Sequence, residues 1–187
     1  MNVLNSMLLL AAAFLAVFAE AALPGLRHWL GAQIDLLPAL MVCAALTADI
    51  VTLAVLAVLG GLWFDVLSAN PLGVTILPLF AAGFVIFIQR DLILRELPFA
   101  QLILGGVASG VVPVLTVLLM LSGGRQPLIG WGSVWQWIVM TAGGAVATPV
   151  LFALLAWCQH AFGYQPRTET SFRADREIQR SREVKGE

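Results

Sequence analysis

Apolar residues along this chain fall into six long blocks, each closed by proline, glycine or charged residues rather than broken by regular alternation with polar ones. Long apolar blocks without a period of two predict helices surrounded by apolar neighbours on every face. The first block runs from Val3 to Leu23 and is stopped by Pro24-Gly25. The second, Leu36 to Ala48, is short, with Asp35 before it and Asp49 after it. The third, Val51 to Leu67, ends in Ser-Ala-Asn-Pro-Leu-Gly, and the fourth, Pro71 to Gln89, runs into RDLILRELP. The fifth, Phe99 to Leu121, ends at SGGRQP, and the sixth, Trp135 to Cys158, gives way to a polar tail. Since about 20 apolar residues cross the hydrocarbon of a bilayer, the expected fold class is all-α: a polytopic membrane helix bundle of about six transmembrane helices. Treating the short second block as re-entrant leaves five.

Composition agrees with that solvent. Hydrophobic residues make up 60% and charged residues 11% of the 187, and the mean hydropathy is +0.92, outside the soluble globular range. Charge is gathered in the stretch after Pro166, which sets a bundle over residues 1–162 against a charged tail over 163–187 that has too few apolar positions to bury a helical face. A short helix around Phe172 to Arg182, held to anionic headgroups through its arginines, is compatible with that tail. If the N-terminus is cytoplasmic, Arg90, Arg95, Arg167, Arg173, Arg176, Arg180, Arg182 and Lys185 lie inside and only Arg27 and Arg125 lie outside; this bias places both termini in the cytoplasm. The segment LLLAAAFLAVFAEAA imitates a cleaved signal at Ala19-Glu20-Ala21, but no Lys or Arg precedes it, which favours a retained first helix.

Chemistry-bearing patterns are sparse. No basic patch interleaved with aromatics points to nucleic acid, and no phosphate loop, metal spacing or hydrolase pair of carboxylates is visible, so neither metal nor cofactor is expected. Cys43 and Cys158 read as packing thiols. Ser109 would need a histidine on a neighbouring helix to act as a nucleophile, and His28 and His160 both fall at block edges. Close helix packing accounts better for Gly106-xxx-Gly110, with Ala108 and Ser109 between, and for Gly143-Gly144 in the sixth block. Pro113 and Pro149 predict modest kinks, and Trp131, Trp135 and Trp137 an interfacial belt. Thr75, Thr116, Thr141 and Thr148 are the mid-block polar residues, a type that commonly bonds its own helix.

The acids Glu20, Asp35, Asp49 and Asp65 all lie within about one turn of a block end. Charge at a helix centre in lipid costs ~3 kcal/mol or more, so an interfacial, structural role is expected for the first three. Asp65 stands at the C-terminal end of its helix, where the dipole disfavours an anion. Asn70 is a good cap and Pro71 a good first helical residue for the next block, leaving the amides of Leu72, Gly73 and Val74 without helical partners. Asp65 folded back onto those amides would tie the third helix to the fourth; contact with a partner or ligand is the alternative.

The stretches QIDLLPALMVCAAL and LAVLGGLWFDVLSANPLGVTILPLFAAGF carry a resemblance. They resemble the bacterial rod shape-determining protein MreD family over roughly residues 33–90, with Gly61, Asp65, Ser68, Pro71, Leu72 and Gly73 in the family's Gly-Leu-x-x-Asp-x-x-Ser-x-x-Pro-Leu-Gly pattern, and Ile34 where the family often has proline. The resemblance implies a non-enzymatic inner-membrane subunit, a scaffold of the peptidoglycan elongation machinery (elongasome, or rod complex). It implies MreC as binding partner, with RodA, a class B penicillin-binding protein and the MreB filament alongside. The family's bundle also resembles the substrate-binding subunits of energy-coupling-factor vitamin transporters, so a small-molecule binder is the rival reading. Few converging polar side chains inside the blocks favour the scaffold.

Overall fold

The computed structural model describes residues 3–22, 31–68, 71–90, 97–124 and 130–162, and among them the only regular elements are helices. In chain order they are α1 (Val3–Ala22), α2 (Leu37–Thr47), α3 (Ile50–Leu67), α4 (Ile76–Gln89), α5 (Pro98–Ser122) and α6 (Trp131–Phe162). Five begin within a few residues of the blocks read from the sequence. α4 does not: it begins at Ile76 rather than Pro71, because Pro71–Thr75 forms a turn. The Val74 amide donates to the Pro71 carbonyl at 3.3 Å, and Gly73 takes φ +88, the positive value that the third position of a type II turn requires. α6 begins at Trp131, four residues before the expected Trp135. The expected tail, 163–187, and Asn70 lie outside the described residues.

α2 is the centre of the molecule. Every residue from Leu37 to Leu46 is buried, and the helix touches each of the other five. Leu37, Leu40 and Met41 pack with Leu9 from α1, Leu53 and Leu56 from α3 and Leu79 from α4. A sequence apolar on all sides suits such a position, since no face needs water. Its 11 residues span only about 16 Å, so both of its ends, with their unpaired amides and carbonyls, must find partners within the bundle.

Three helices are long and apolar enough to cross a membrane: α3, α5 and most of α6. α2, α4 and the stretch Asn5–Glu20 of α1 are shorter apolar helices. α5 and α6 run antiparallel against each other, since Gly105 meets Thr148 while Gly110 meets Trp137 and Thr141.

Candidate functional site

The motif region is organised by Asp65, which is fully buried. One carboxylate oxygen accepts the Gly73 amide at 2.8 Å and the Thr75 amide at 3.3 Å, and the other accepts the Thr75 hydroxyl. Of the three amides expected from the sequence, only Gly73 is used; Val74 serves the turn itself, and Thr75 supplies the other two bonds, from its amide and its hydroxyl. The cap reading of Asn70 and Pro71 is thereby replaced. The helix starts later, and the acid that holds its entry comes from the previous helix rather than from a residue of Asn type. Gly61, one turn before Asp65, lies against the first residue of α4: a Cβ there would sit 3.0 to 3.1 Å from Ile76 side-chain and backbone atoms. Ser68 turns away and bonds its own helix at the Phe64 carbonyl, 2.5 Å, and Leu72 points outward, 69% exposed. Gly61, Asp65, Pro71, Gly73 and Thr75 therefore form one unit, and Ser68 and Leu72 stand outside it.

A second polar cluster closes the N-terminal end of α2. Glu20 Oε1 accepts the Leu36 amide at 2.7 Å, and Asp35 Oδ1 accepts the Leu37 amide at 2.9 Å. Gln136 of α6 clamps the same segment, its amide group bonding the Gln33 carbonyl at 2.7 Å and the Gln33 N–H at 3.0 Å. Asp35 is 3% exposed, which corrects the interfacial role expected of it: anionic caps at a helix N-terminus make burial tolerable. Burial pushes the Asp35 carboxyl up to about 6, the Leu37 amide pulling part of the way back. Glu20 is half-buried, with Oε2 enclosed and without a hydrogen-bond partner. Asp49 alone among the three is exposed. At the opposite end of α2, Asn5 donates to the Thr47 carbonyl at 3.1 Å and accepts from Gln159 at 2.8 Å. Arg90 donates to the Ala48 carbonyl at 3.3 Å.

The closest approach of α5 and α6 keeps Gly144 on α6, as read in the sequence, but on α5 it uses the stripe one residue before Gly106 and Gly110. A Cβ on Gly105 would lie 2.0 Å from Thr148 Oγ1, and one on Gly144 would lie 1.8 Å from Ser109 Oγ. Gly105-xxx-Ser109 against Gly144-xxx-Thr148 is thus the contact, with the Ser109 hydroxyl buried and unpartnered. Gly106 faces the Ala145 methyl at a looser 3.3 Å, and Gly143 faces Ile34 rather than α5. Gly106 and Gly110 line an open apolar groove of about 510 Å³ between the two helices, with Gly110 still close to α6, where a Cβ would lie 3.2 Å from Thr141 Oγ1. Trp137 crosses its wall to donate to the Gly110 carbonyl at 2.9 Å; Trp131, 90% exposed, and Trp135 face outward.

Among the described residues no group of three or more His, Cys, Asp or Glu could hold a metal ion. Cys43 is buried, Cys158 half-buried, and both are free thiols. No family model, curated protein or solved structure matches the chain. Sequence reasoning missed Thr75 as the partner of Asp65 and the clamps made by Asn5, Gln136 and Gln159. Their only signal was polarity inside an apolar block or, for Gln159, just beyond one.

Proposed function

We propose that this chain is a non-enzymatic, multi-pass subunit of the bacterial inner membrane, with both termini cytoplasmic, that maintains rod shape by binding MreC. In this reading it supports the RodA and class B penicillin-binding protein synthase beside the MreB filament, as the resemblance to MreD implies. The observation that carries the proposal is the Asp65 turn: residues supplying the resemblance, Gly61, Asp65, Pro71 and Gly73, build one buried hydrogen-bonded unit between α3 and α4. A scaffold needs such units, because its product is a fixed outer surface. The polar side chains at α2 and at the turn are likewise engaged with the bundle's own backbone. Large apolar side chains such as Phe99, Val107, Trp135 and Trp157 are left on the outside, where lipid or a partner helix can cover them.

The test is coexpression with MreC from the same genome and capture through a tag on the chain in mild detergent. Recovery of MreC in stoichiometric amount supports the proposal. Recovery of an inserted, abundant chain without MreC, together with normal rod shape in cells depleted of the chain, removes it.

A further inference from the structure

α1 is tied down differently at its two ends. At its start, Asn5 donates to the Thr47 carbonyl and accepts from Gln159, and the Ser6 hydroxyl pairs with the Thr52 hydroxyl at 2.8 Å. At its other end, among the described residues, Glu20 alone ties α1 to the bundle by hydrogen bonding, through Oε1 on the Leu36 amide. The segment that Glu20 grips does not depend on it. Gln136 holds Gln33 by both its N–H and its carbonyl, and Ile34 is seated on Gly143, where a Cβ would meet its side chain at 2.8 Å. Release of the grip therefore frees the end of α1 and leaves the entry of α2 on α6.

An acid makes this grip from an awkward position. Glu20 Oε2 is enclosed and has no hydrogen-bond partner, and the next amide along is held by a second carboxyl, Asp35. Two anions on successive amides repel, and an ionised oxygen without a donor is costly away from water. Among the described residues no basic group stands near enough to offset them. Of the elements packed against α1, α2 offers only Cys43, buried along its length. On α3, Asp65 is turned to Gly73 and Thr75, and Asp49 precedes the helix at the far end. On α6 the near polar group is Gln136, while His160 follows Gln159 at the Asn5 end. Arg90, next to α4, lies at that far end too, on the Ala48 carbonyl. A proton on Oε2 relieves the conflict without disturbing the Leu36 bond, and since Glu20 is only half-buried that proton can exchange with water. We propose that Glu20 is a proton-dependent latch. Protonated, it keeps the end of α1 on the entry of α2; once the proton passes to water, the carboxylate leaves the Leu36 amide for solvent and α1 tilts outward about its Asn5–Ser6 end. The folded state holds the proton more tightly than the open one, so the latch is closed at low pH and opens as pH rises. It stands on the fold and not on the partner reading above.

The experiment takes the full chain in mild detergent, in a Cys158→Ser background with the buried Cys43 left in place, and puts nitroxides at pairs of exposed positions. Phe18→Cys with Val134→Cys spans the latch, and Met7→Cys with Val51→Cys spans the pinned end. Pulsed electron resonance reads each distance as the pH is raised from about 6 to about 9, the range in which buried glutamic acids ionise. The latch distance should lengthen by about 5 Å, the displacement of a ~21 Å lever tilted by about 15°, while the pinned pair stays constant. Glu20→Gln keeps an acceptor for the Leu36 amide and cannot ionise, so it should hold the short distance at every pH. A latch distance that ignores pH, one that lengthens as much in Glu20→Gln, a Glu20→Gln chain already open at low pH, or equal movement of both pairs would each overturn the proposal.

Discussion

Around α2 each helix end is met by a side chain from somewhere else in the fold: Glu20 and Gln136 at one end, Asn5 and Arg90 at the other, and Asp65 at the neighbouring turn. Where α5 crosses α6, by contrast, Trp137 donates across to the Gly110 carbonyl at 2.9 Å, but the small polar side chains at the closest approach serve their own helix or nothing. Thr148 bonds its own Gly144 carbonyl at 2.8 Å, Thr141 its own Trp137 carbonyl at 2.8 Å, and Ser109 has no partner. The first region is short helices fixed by directional bonds; the second is long helices fixed by shape. Short helices expose unpaired backbone groups inside an apolar interior, where each unpaired group is expensive, so they need directional partners. Long helices satisfy themselves and need only a close fit.

This contrast assigns the largest mutational effect to the shape-fixed crossing. Gly105→Leu or Gly144→Val places atoms where Thr148 and Ser109 already stand and should cost about 3 kcal/mol by overpacking. Gly106→Ala, 3.3 Å from the Ala145 methyl, should cost less than half as much. Thermal unfolding of the detergent-solubilised full chain reads the difference, and equal effects at Gly105 and Gly106 would erase the distinction between the two glycine frames.

Next in size come the α2 anchors. Glu20→Leu strands the Leu36 amide and should cost about 1–3 kcal/mol, whereas Glu20→Gln keeps an acceptor and should be milder. The same end should respond to acid. Asp35 is pushed up to about 6 in the folded chain against an ordinary value of about 4, so the folded state holds the proton more tightly. Its contribution to stability is therefore complete below about pH 4 and lost as pH rises through about 6. The unfolding midpoint should rise on lowering the pH from 7 toward 5, and because the Glu20 carboxyl stands in the same buried cluster and is opposed by the Asp35 charge, Asp35→Asn should remove only part of that rise. Smallest of all is Thr148→Val at the crossing, which deletes only a bond to its own helix and should stay within about 0.5 kcal/mol. Thr75→Val, which deletes a donor to buried Asp65, should exceed it.

Much of this was legible in the sequence, and the failures have physical causes. The helix blocks follow from apolar run length, which is local. The start of α4 was misplaced because Pro71 suits the first turn of a helix as well as it suits a tight turn; Gly73, two residues on and needing positive φ, was the signal that separates them. The acid-to-amide tie between α3 and α4 could be read from Asp65 at an unfavourable helix end, although which amides it meets depended on that turn. The α5 side of the α5–α6 frame was not readable. Gly105, Gly106, Ser109 and Gly110 offer two interlaced small-residue stripes, and the choice is made by Gly144 and Thr148 across the interface. Asp35 was placed at a surface because the helix after it was assumed to cross the bilayer, whereas an 11-residue helix leaves its cap inside.

The central claim is that the motif acid works inside the fold, fixing a surface for partners rather than touching them. A double-mutant cycle on Asp65 and Thr75, read by thermal unfolding of the full chain and by its level in the membrane, tests that claim. Asp65→Asn should be mild and Asp65→Leu should cost about 1–3 kcal/mol. Thr75→Val should add little to Asp65→Leu, because its partner is already gone. Additive losses, an Asp65→Leu chain as stable as the original, or an Asp65→Asn chain that folds and inserts normally yet loses MreC would contradict the account.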